Sequence, residues 1–184
     1  NRLLSGEIDL AVHSLKDMQS TNPPGLAIAA YLEREDPRDM LFTRAGHALD
    51  DLPEHARVGT SSLRRTCQLK ALRPDIACVA IRGNVPTRLH KIGPDLDAVI
   101  LAAAGVKRLG LAPGNPIDTA VMIPSPGQAV IAVQARTNDQ EAISLAKGLD
   151  HEPTRRCALA ERAFLATLGA DCRIPAGAYA VIDG

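Results

Sequence analysis

Short apolar runs separated by helical patterns constrain this chain more than any other feature. Residues 8–12, 79–81, 98–101 and 130–133 are each too short for a helix and each lie near polar or glycine-containing turns, so they are expected to be strands. Helices are expected at 62–72, which stops before Arg73-Pro74, at 154–168, which runs into Gly169, and more briefly at 142–149. In the second of these, Ala160, Ala163, Phe164, Thr167 and Leu168 fall near one face. Strands alternating with helices are the pattern of βαβ units, so the expected class is α/β with mixed, largely parallel sheets.

The 184 residues, 46% hydrophobic and 23% charged, suffice for one ordinary domain or two small ones with a packed core. The longest apolar stretch, 98–106, falls far short of the roughly 20 residues that cross a bilayer. Trp is absent and Tyr plus Phe total four, leaving little for the stacking platforms of single-stranded nucleic-acid binders. The 21 basic residues balance the 21 acidic ones, so no global basic field recruits DNA or RNA. Neither a membrane nor a nucleic acid is expected as a partner. Cys67, Cys78, Cys157 and Cys172 form no C-x-x-C pair, which removes zinc-ribbon and thioredoxin readings and makes a reducing compartment the default. No metal site is expected. Cys67, Cys78 and Cys157 read as small core-filling thiols. The opening at Asn1 without an initiator Met, and an end at 179–184 that reads as a strand entering a turn, suggest a piece of a longer protein.

Two composition shifts mark expected crossings between lobes: the charged stretch Glu33-Arg34-Glu35-Asp36-Pro37-Arg38-Asp39, and Pro124-Ser125-Pro126-Gly127-Gln128. Between them the neutral total conceals an imbalance. From Arg57 to Lys91 eight basic residues face only Asp75. Such a run alone is ordinarily a solvated helix face. Its placement points further. Gly59-Thr60-Ser61-Ser62 precedes the helix bearing Arg64 and Arg65, so N–H groups, hydroxyls and two guanidinium forks converge on one helix N-terminus. Arg82-Gly83-Asn84 follows a strand, and Pro86 suits the first turn of a helix carrying Thr87 and Arg88. Ligands of open α/β sheets bind beyond the carboxyl ends of strands, so both arginine groups are expected at one crevice, with a ligand carrying several carboxylates or phosphates. No P-loop or G-x-G-x-x-G motif is present.

Two residues stand out for chemistry. Asp17 ends the run Ala11-Val12-His13-Ser14-Leu15-Lys16-Asp17; it reads either as a turn carboxylate or as a group that holds an N–H donor and offsets positive charge on a substrate. His13 reads as a satisfied structural histidine. Cys172, in Gly169-Ala170-Asp171-Cys172-Arg173, is a loop thiol whose pKa Arg173 would lower and Asp171 raise.

Taken together, residues 8–17, 33–39, 58–65, Arg82-Gly83-Asn84 with Thr87-Arg88-Leu89, Gly105-Val106-Lys107-Arg108-Leu109-Gly110, Ala160-Glu161-Arg162-Ala163 and Cys172 with Pro175 resemble the hydroxymethylbilane synthase (porphobilinogen deaminase) family. The resemblance spans essentially the whole chain as the middle of a longer family member. It implies lobes similar to type II periplasmic binding proteins: 1–32 with 127–150 as a partial first domain, 33–126 as the second, and 151–184 as the start of a third. It implies a dipyrromethane cofactor bound as a thioether to Cys172, with Asp17 as the catalytic carboxylate contacting pyrrole N–H groups. Ser14, Lys16, Thr60, Ser62, Arg64, Arg65 and Gly83 would line the cofactor, and Arg82, Arg88 and Arg108 the substrate. The implied reaction is deaminative condensation of four porphobilinogen molecules onto that primer, releasing hydroxymethylbilane and ammonia, in a cytoplasmic (or plastid) monomer. Domain shifts about the two crossings would make room for the growing product. Three departures from the family pattern bear on this: Met18-Gln19-Ser20 replaces a following Pro-Thr, Gly127-Gln128-Ala129 replaces Gly-Gln-Gly, and Ala170-Asp171 replaces paired glycines. The alternatives are a non-catalytic polycarboxylate-binding module and a truncated, inactive enzyme.

Overall fold

A computed structural model describes residues 2–169 and 174–183. In chain order the elements are β1 (Ala11–Ser14), a 3-10 turn (Leu15–Asp17), β2 (Leu26–Tyr31), β3 (Asp39–Thr43), β4 (Arg57–Gly59) and α1 (Leu63–Leu72). There follow β5 (Ala77–Val79), α2 (Val85–Leu89), β6 (Ala98–Ala102), α3 (Ala103–Arg108) and β7 (Asn115–Ile117). The chain closes with β8 (Ile131–Arg136), α4 (Gln140–Lys147) and α5 (Glu152–Thr167). Two compact units result, Asn1–Glu35 with Ser125–Gly184, and Asp36–Pro124.

The second unit holds a five-stranded sheet in the order β5-β4-β6-β3-β7. Its β4–β5 and β4–β6 pairs are parallel, and β3–β6 and β3–β7 antiparallel. The apolar run of β6 is central and covered on both faces, as an unbroken hydrophobic strand must be. Because side chains alternate across a strand, Ala98 and Ile100 enter a cluster with Leu41, Val58, Leu69 and Ile76, while Val99 and Leu101 enter another with Ile81, Leu96 and Val106. Each buried Leu, Ile or Val side chain among these contributes about 1.5–3 kcal/mol.

The first unit is built on a three-stranded antiparallel sheet, β1-β8-β2. The central β8 buries Ala132, Val133, Gln134 and Ala135. A register shift between Ile28 and Ala30 of β2 is a bulge. Asp139 caps α4 by accepting the Ala142 N–H at 3.0 Å, and Arg136 pairs with Asp139.

α5 turns a different face inward from the one its apolar residues suggest. Thr154, Ala158, Glu161 and Arg162 are buried, whereas Ala160, Ala163, Phe164, Thr167 and Leu168 are exposed. Ala158 is small enough to sit in the cluster with Leu15, Tyr31, Val130 and Ala132. Glu161 accepts from Arg34 Nη2 at 2.8 Å, the Gly127 N–H at 2.7 Å and the Ala180 N–H at 2.9 Å. A buried carboxylate so fully bonded decides the helix's rotation. Two further expectations are corrected. Cys67 lies exposed on α1 and fills no core, because Arg64, Arg65 and Leu69 form that helix's buried face. His13 is not satisfied: its Nε2 is buried with no hydrogen-bond partner among the described residues. The strands also shift against the sequence reading, with β1 at Ala11–Ser14, β5 at Ala77–Val79 and β8 at Ile131–Arg136, and β2, β3, β4 and β7 lie outside it. Within the described residues no helix is long and apolar enough to cross a membrane.

Candidate functional site

In the second unit, parallel pairing brings the carboxyl ends of β4, β5 and β6 to one edge of the sheet, with Gly59 opposite both Val79 and Val99. The segments that leave this edge carry Thr60, Ser62, Arg64 and Arg65 after β4, Arg82, Gly83 and Arg88 after β5, and Arg108 at the end of α3 after β6. Glycine at position 59 gives Leu96 and Ile81 room to pack: a Cβ there would lie 2.6 Å from Leu96 Cδ1 and 3.0 Å from Ile81 Cδ1 and force those side chains to shift.

The hydroxyls of this turn serve the chain itself. The buried Thr60 donates its N–H to Val79 O at 2.9 Å, and its Oγ1 accepts the Ser62 N–H at 3.2 Å. Ser61 Oγ donates to Ile81 O and accepts the Ile81 N–H, tying the end of β4 to the segment after β5. Ser62 caps α1 by accepting the Arg65 N–H at 3.4 Å. Asn84 caps α2 through the Thr87 N–H at 2.9 Å, and Pro86 lies in that helix's first turn. Gly83 sits at φ 114°, where a Cβ would come within 2.8 Å of Thr87 Cγ2.

The arginines behave differently from one another. Arg64 and Arg65 are only 4% and 7% exposed, and both reach inward to Asp39, which is 0% exposed at the start of β3. Arg64 Nη2 donates to Asp39 Oδ2 at 2.8 Å and Arg65 Nη2 to Oδ1 at 2.7 Å. Arg64 Nη1 also donates to Ile123 O at 2.7 Å, and Arg65 Nη1 to Ile100 O at 3.0 Å. Burial would push the Asp39 carboxyl up, but the charges of Arg65 and Arg64 and their hydrogen bonds outweigh it and hold it below the usual carboxylate range. Both Nε atoms are buried without a partner among the described residues. Arg88 Nε donates to Gly83 O at 2.7 Å, keeping that arginine against its own loop. Arg82 and Arg108 are exposed and unpaired among the described residues. Asp39 was invisible to sequence reasoning as a site residue; its one signal was an acid opening an apolar strand opposite a basic stretch.

In the first unit Asp17 is exposed at the end of the 3-10 turn that follows β1, with Ser14 at the turn's N-terminus and Lys16 half-buried. Leu15 anchors the turn: it is 2% exposed and its N–H donates to Val130 O at 2.9 Å. Gly127, at φ 72°, lets Leu15 settle, since a Cβ there would lie 2.8 Å from Leu15 Cγ. Ala129 adopts φ 68°, a conformation costly for a residue with a Cβ. Cys172 lies outside the described residues.

These residues suit an acid-bearing ligand. Two buried cations share a single carboxylate, two buried Nε donors stay unmatched among the described residues, and exposed arginines follow the same sheet edge. The fold that carries them is that of periplasmic solute-binding proteins. The chain is similar to an ABC transporter periplasmic substrate-binding protein from Coxiella burnetii (TM-score 0.52, 14% identity, 88% of this chain and 78% of that one). It is also similar to a YaeC-family lipoprotein from Enterococcus faecalis V583 (TM-score 0.51, 16% identity, 80% and 73%). Within that fold the sequence is far more specific. Residues 1–144 match the family model "Porphobilinogen deaminase, dipyromethane cofactor binding domain" and residues 155–184 match "Porphobilinogen deaminase, C-terminal domain". The chain belongs to the porphobilinogen deaminase family. It is 50% identical to the porphobilinogen deaminase of Syntrophomonas wolfei over 99% of its length and 60% of that protein. It is 52% identical to that of Roseiflexus sp. RS-1 over 98% of its length and 60% of that protein. It thus spans about three fifths of the length of these curated relatives.

Proposed function

We propose that the protein is a hydroxymethylbilane synthase, a transferase of tetrapyrrole, porphyrin and heme biosynthesis. It condenses four porphobilinogen molecules with loss of ammonia, and it acts as a cytoplasmic monomer without nucleic-acid or membrane partners. The observation that carries this reading is the buried pair Arg64 and Arg65 on the one carboxylate of Asp39, in a chain whose residues 1–144 match the cofactor-binding domain of that family. The proposed domains are 1–32 with 127–150, 33–126, and 151–184.

Porphobilinogen carries an acetate and a propionate, and each added ring brings two more negative charges. Guanidinium forks suit such groups because they bind a carboxylate bidentately. Arg64 and Arg65 with Ser14, Lys16, Thr60, Ser62 and Gly83 would hold the covalent dipyrromethane, and Arg82, Arg88 and Arg108 the incoming substrate. When bound through Cys172, dipyrromethane supplies the pyrrole α-carbon to which substrate rings are joined. Asp17, presented to solvent by its turn, accepts hydrogen bonds from pyrrole N–H groups and offsets positive charge developing on the substrate ring. It also takes up the proton lost on condensation. Cys172 anchors and does not turn over.

Intact-mass measurement of the natively expressed full-length protein tests this together with ammonia release from porphobilinogen. A dipyrromethane-sized increment on the peptide containing Cys172, with ammonia released, is expected. An unmodified protein that binds porphobilinogen without consuming it would establish the polycarboxylate-binding module instead.

A further inference from the structure

We propose that Asp39 is a positioning residue for the acid-binding arginines. The inference rests on the function proposed above and extends it to a side chain that touches neither cofactor nor substrate in that reading. Asp39 opens β3 opposite Ala102, the last residue of β6, and so lies at the sheet edge from which the arginine-bearing segments leave. Each of its oxygens is given to a different cation, Oδ2 to Arg64 and Oδ1 to Arg65. Each guanidinium is held a second time by a backbone carbonyl, Ile123 O for Arg64 and Ile100 O for Arg65. Two fixed points set the plane of each fork and remove most of its rotamer freedom before any ligand arrives.

The charge balance is equally specific. One carboxylate against two guanidiniums leaves a surplus of one positive charge in a region sheltered from water, where it attracts an anion more strongly than an exposed arginine would. A second acid beside Asp39 would cancel that surplus. The ion pairs of Arg64 and Arg65 among the described residues are with Asp39 alone, so both arginines stay folded inward yet under-neutralised. Their Nε–H groups, buried and unpartnered among the described residues, are donors whose desolvation none of those residues offsets. An acid group of the ligand that reaches them supplies the missing acceptor.

The test uses the full-length protein in its apo and dipyrromethane-loaded forms. In the apo form, Asp39→Asn is expected to slow dipyrromethane loading about tenfold, the loss of one charged hydrogen bond, while kcat of the fraction that loads stays within about threefold. Asp39→Glu should recover part of the loading rate. In parent protein the Nε–H proton resonances of Arg64 and Arg65, assigned through Arg64→Lys and Arg65→Lys, should be sharp in the apo form and shift on loading. In Asp39→Asn they should broaden. An unchanged loading rate with unaltered Nε–H resonances in Asp39→Asn overturns the proposal. Should that variant not fold, identical Nε–H resonances in apo and loaded parent protein overturn it alone. A parent that carries no adduct and consumes no porphobilinogen defeats the functional reading instead. The sharpness of the Nε–H resonances in Asp39→Asn then still decides whether Asp39 orders the arginines.

Discussion

Leu15 makes Asp17 available. Its side chain is sunk in the core and its N–H bonded to Val130, so the two residues that follow must leave the sheet, and the carboxylate at the end of the turn faces water. In Asp17→Asn the turn should persist and the Cys172 adduct form, while turnover falls by about two orders of magnitude, measured as ammonia release by the loaded protein. Ala129 holds a left-handed conformation where the family pattern places glycine. Ala129→Gly should therefore gain up to about 1 kcal/mol in urea unfolding, the relief of Cβ strain less the added freedom of the unfolded chain. The buried triad sets an acid limit. Asp39 is held below its ordinary 3.8, so in the folded state it releases its proton more readily than in the unfolded chain. Its contribution is then complete above about pH 4 and disappears as the pH falls through the lower folded value. Stability measured by thermal melts should decline below pH 4, and Asp39→Asn should flatten that part of the profile. Asp17 stood out in the sequence because an acid closes a strand-like run. Asp39 did not, because a charged residue next to Arg38 reads as surface until the fold shows the two arginines turned towards it.

Among the elements, α1 was legible from its Ser62 cap and its stop before Arg73-Pro74, since these are local signals. β6 was legible for the same reason, as an apolar run too short for a helix. The strand β3 is not legible because Asp39 continues the charged stretch and only four strand residues follow it. α5 was placed to within two residues at its start but given the wrong inward face. Apolar periodicity says which side of a helix can be buried, and here Glu161 decided otherwise by bonding Arg34, Gly127 and Ala180. These partners come from the first crossing, from the second, and from the chain beyond α5. Glu161→Ala should cost about 3–5 kcal/mol by denaturant unfolding, because it strands the Arg34 guanidinium in a buried position. Glu161→Gln, which keeps the shape, should cost less.

Across the whole molecule the charges sum to zero, yet Arg64, Arg65, Arg82, Arg88 and Arg108 are gathered after three strands of one sheet. On the proposed function, attraction of porphobilinogen is therefore a local effect. KM should rise with added salt chiefly through exposed Arg82 and Arg108, and steady-state kinetics over an ionic-strength series on Arg82→Gln should show a flatter rise than the parent. By itself the sequence determined the α/β class, the helices with caps and stops, the glycines that tight turns demand, and family membership through motifs whose residues must recur in order. Those are properties of short segments and of their spacing along the chain. Only the tertiary structure decided that Arg64 and Arg65 point inward to Asp39, that Glu161 rather than the apolar stripe faces the core of the first unit, and that the Thr60 and Ser61 hydroxyls are taken up by backbone. Each depends on partners distant in sequence, and a buried charge or hydroxyl settles where the fold supplies its partner, whatever its neighbours along the chain suggest.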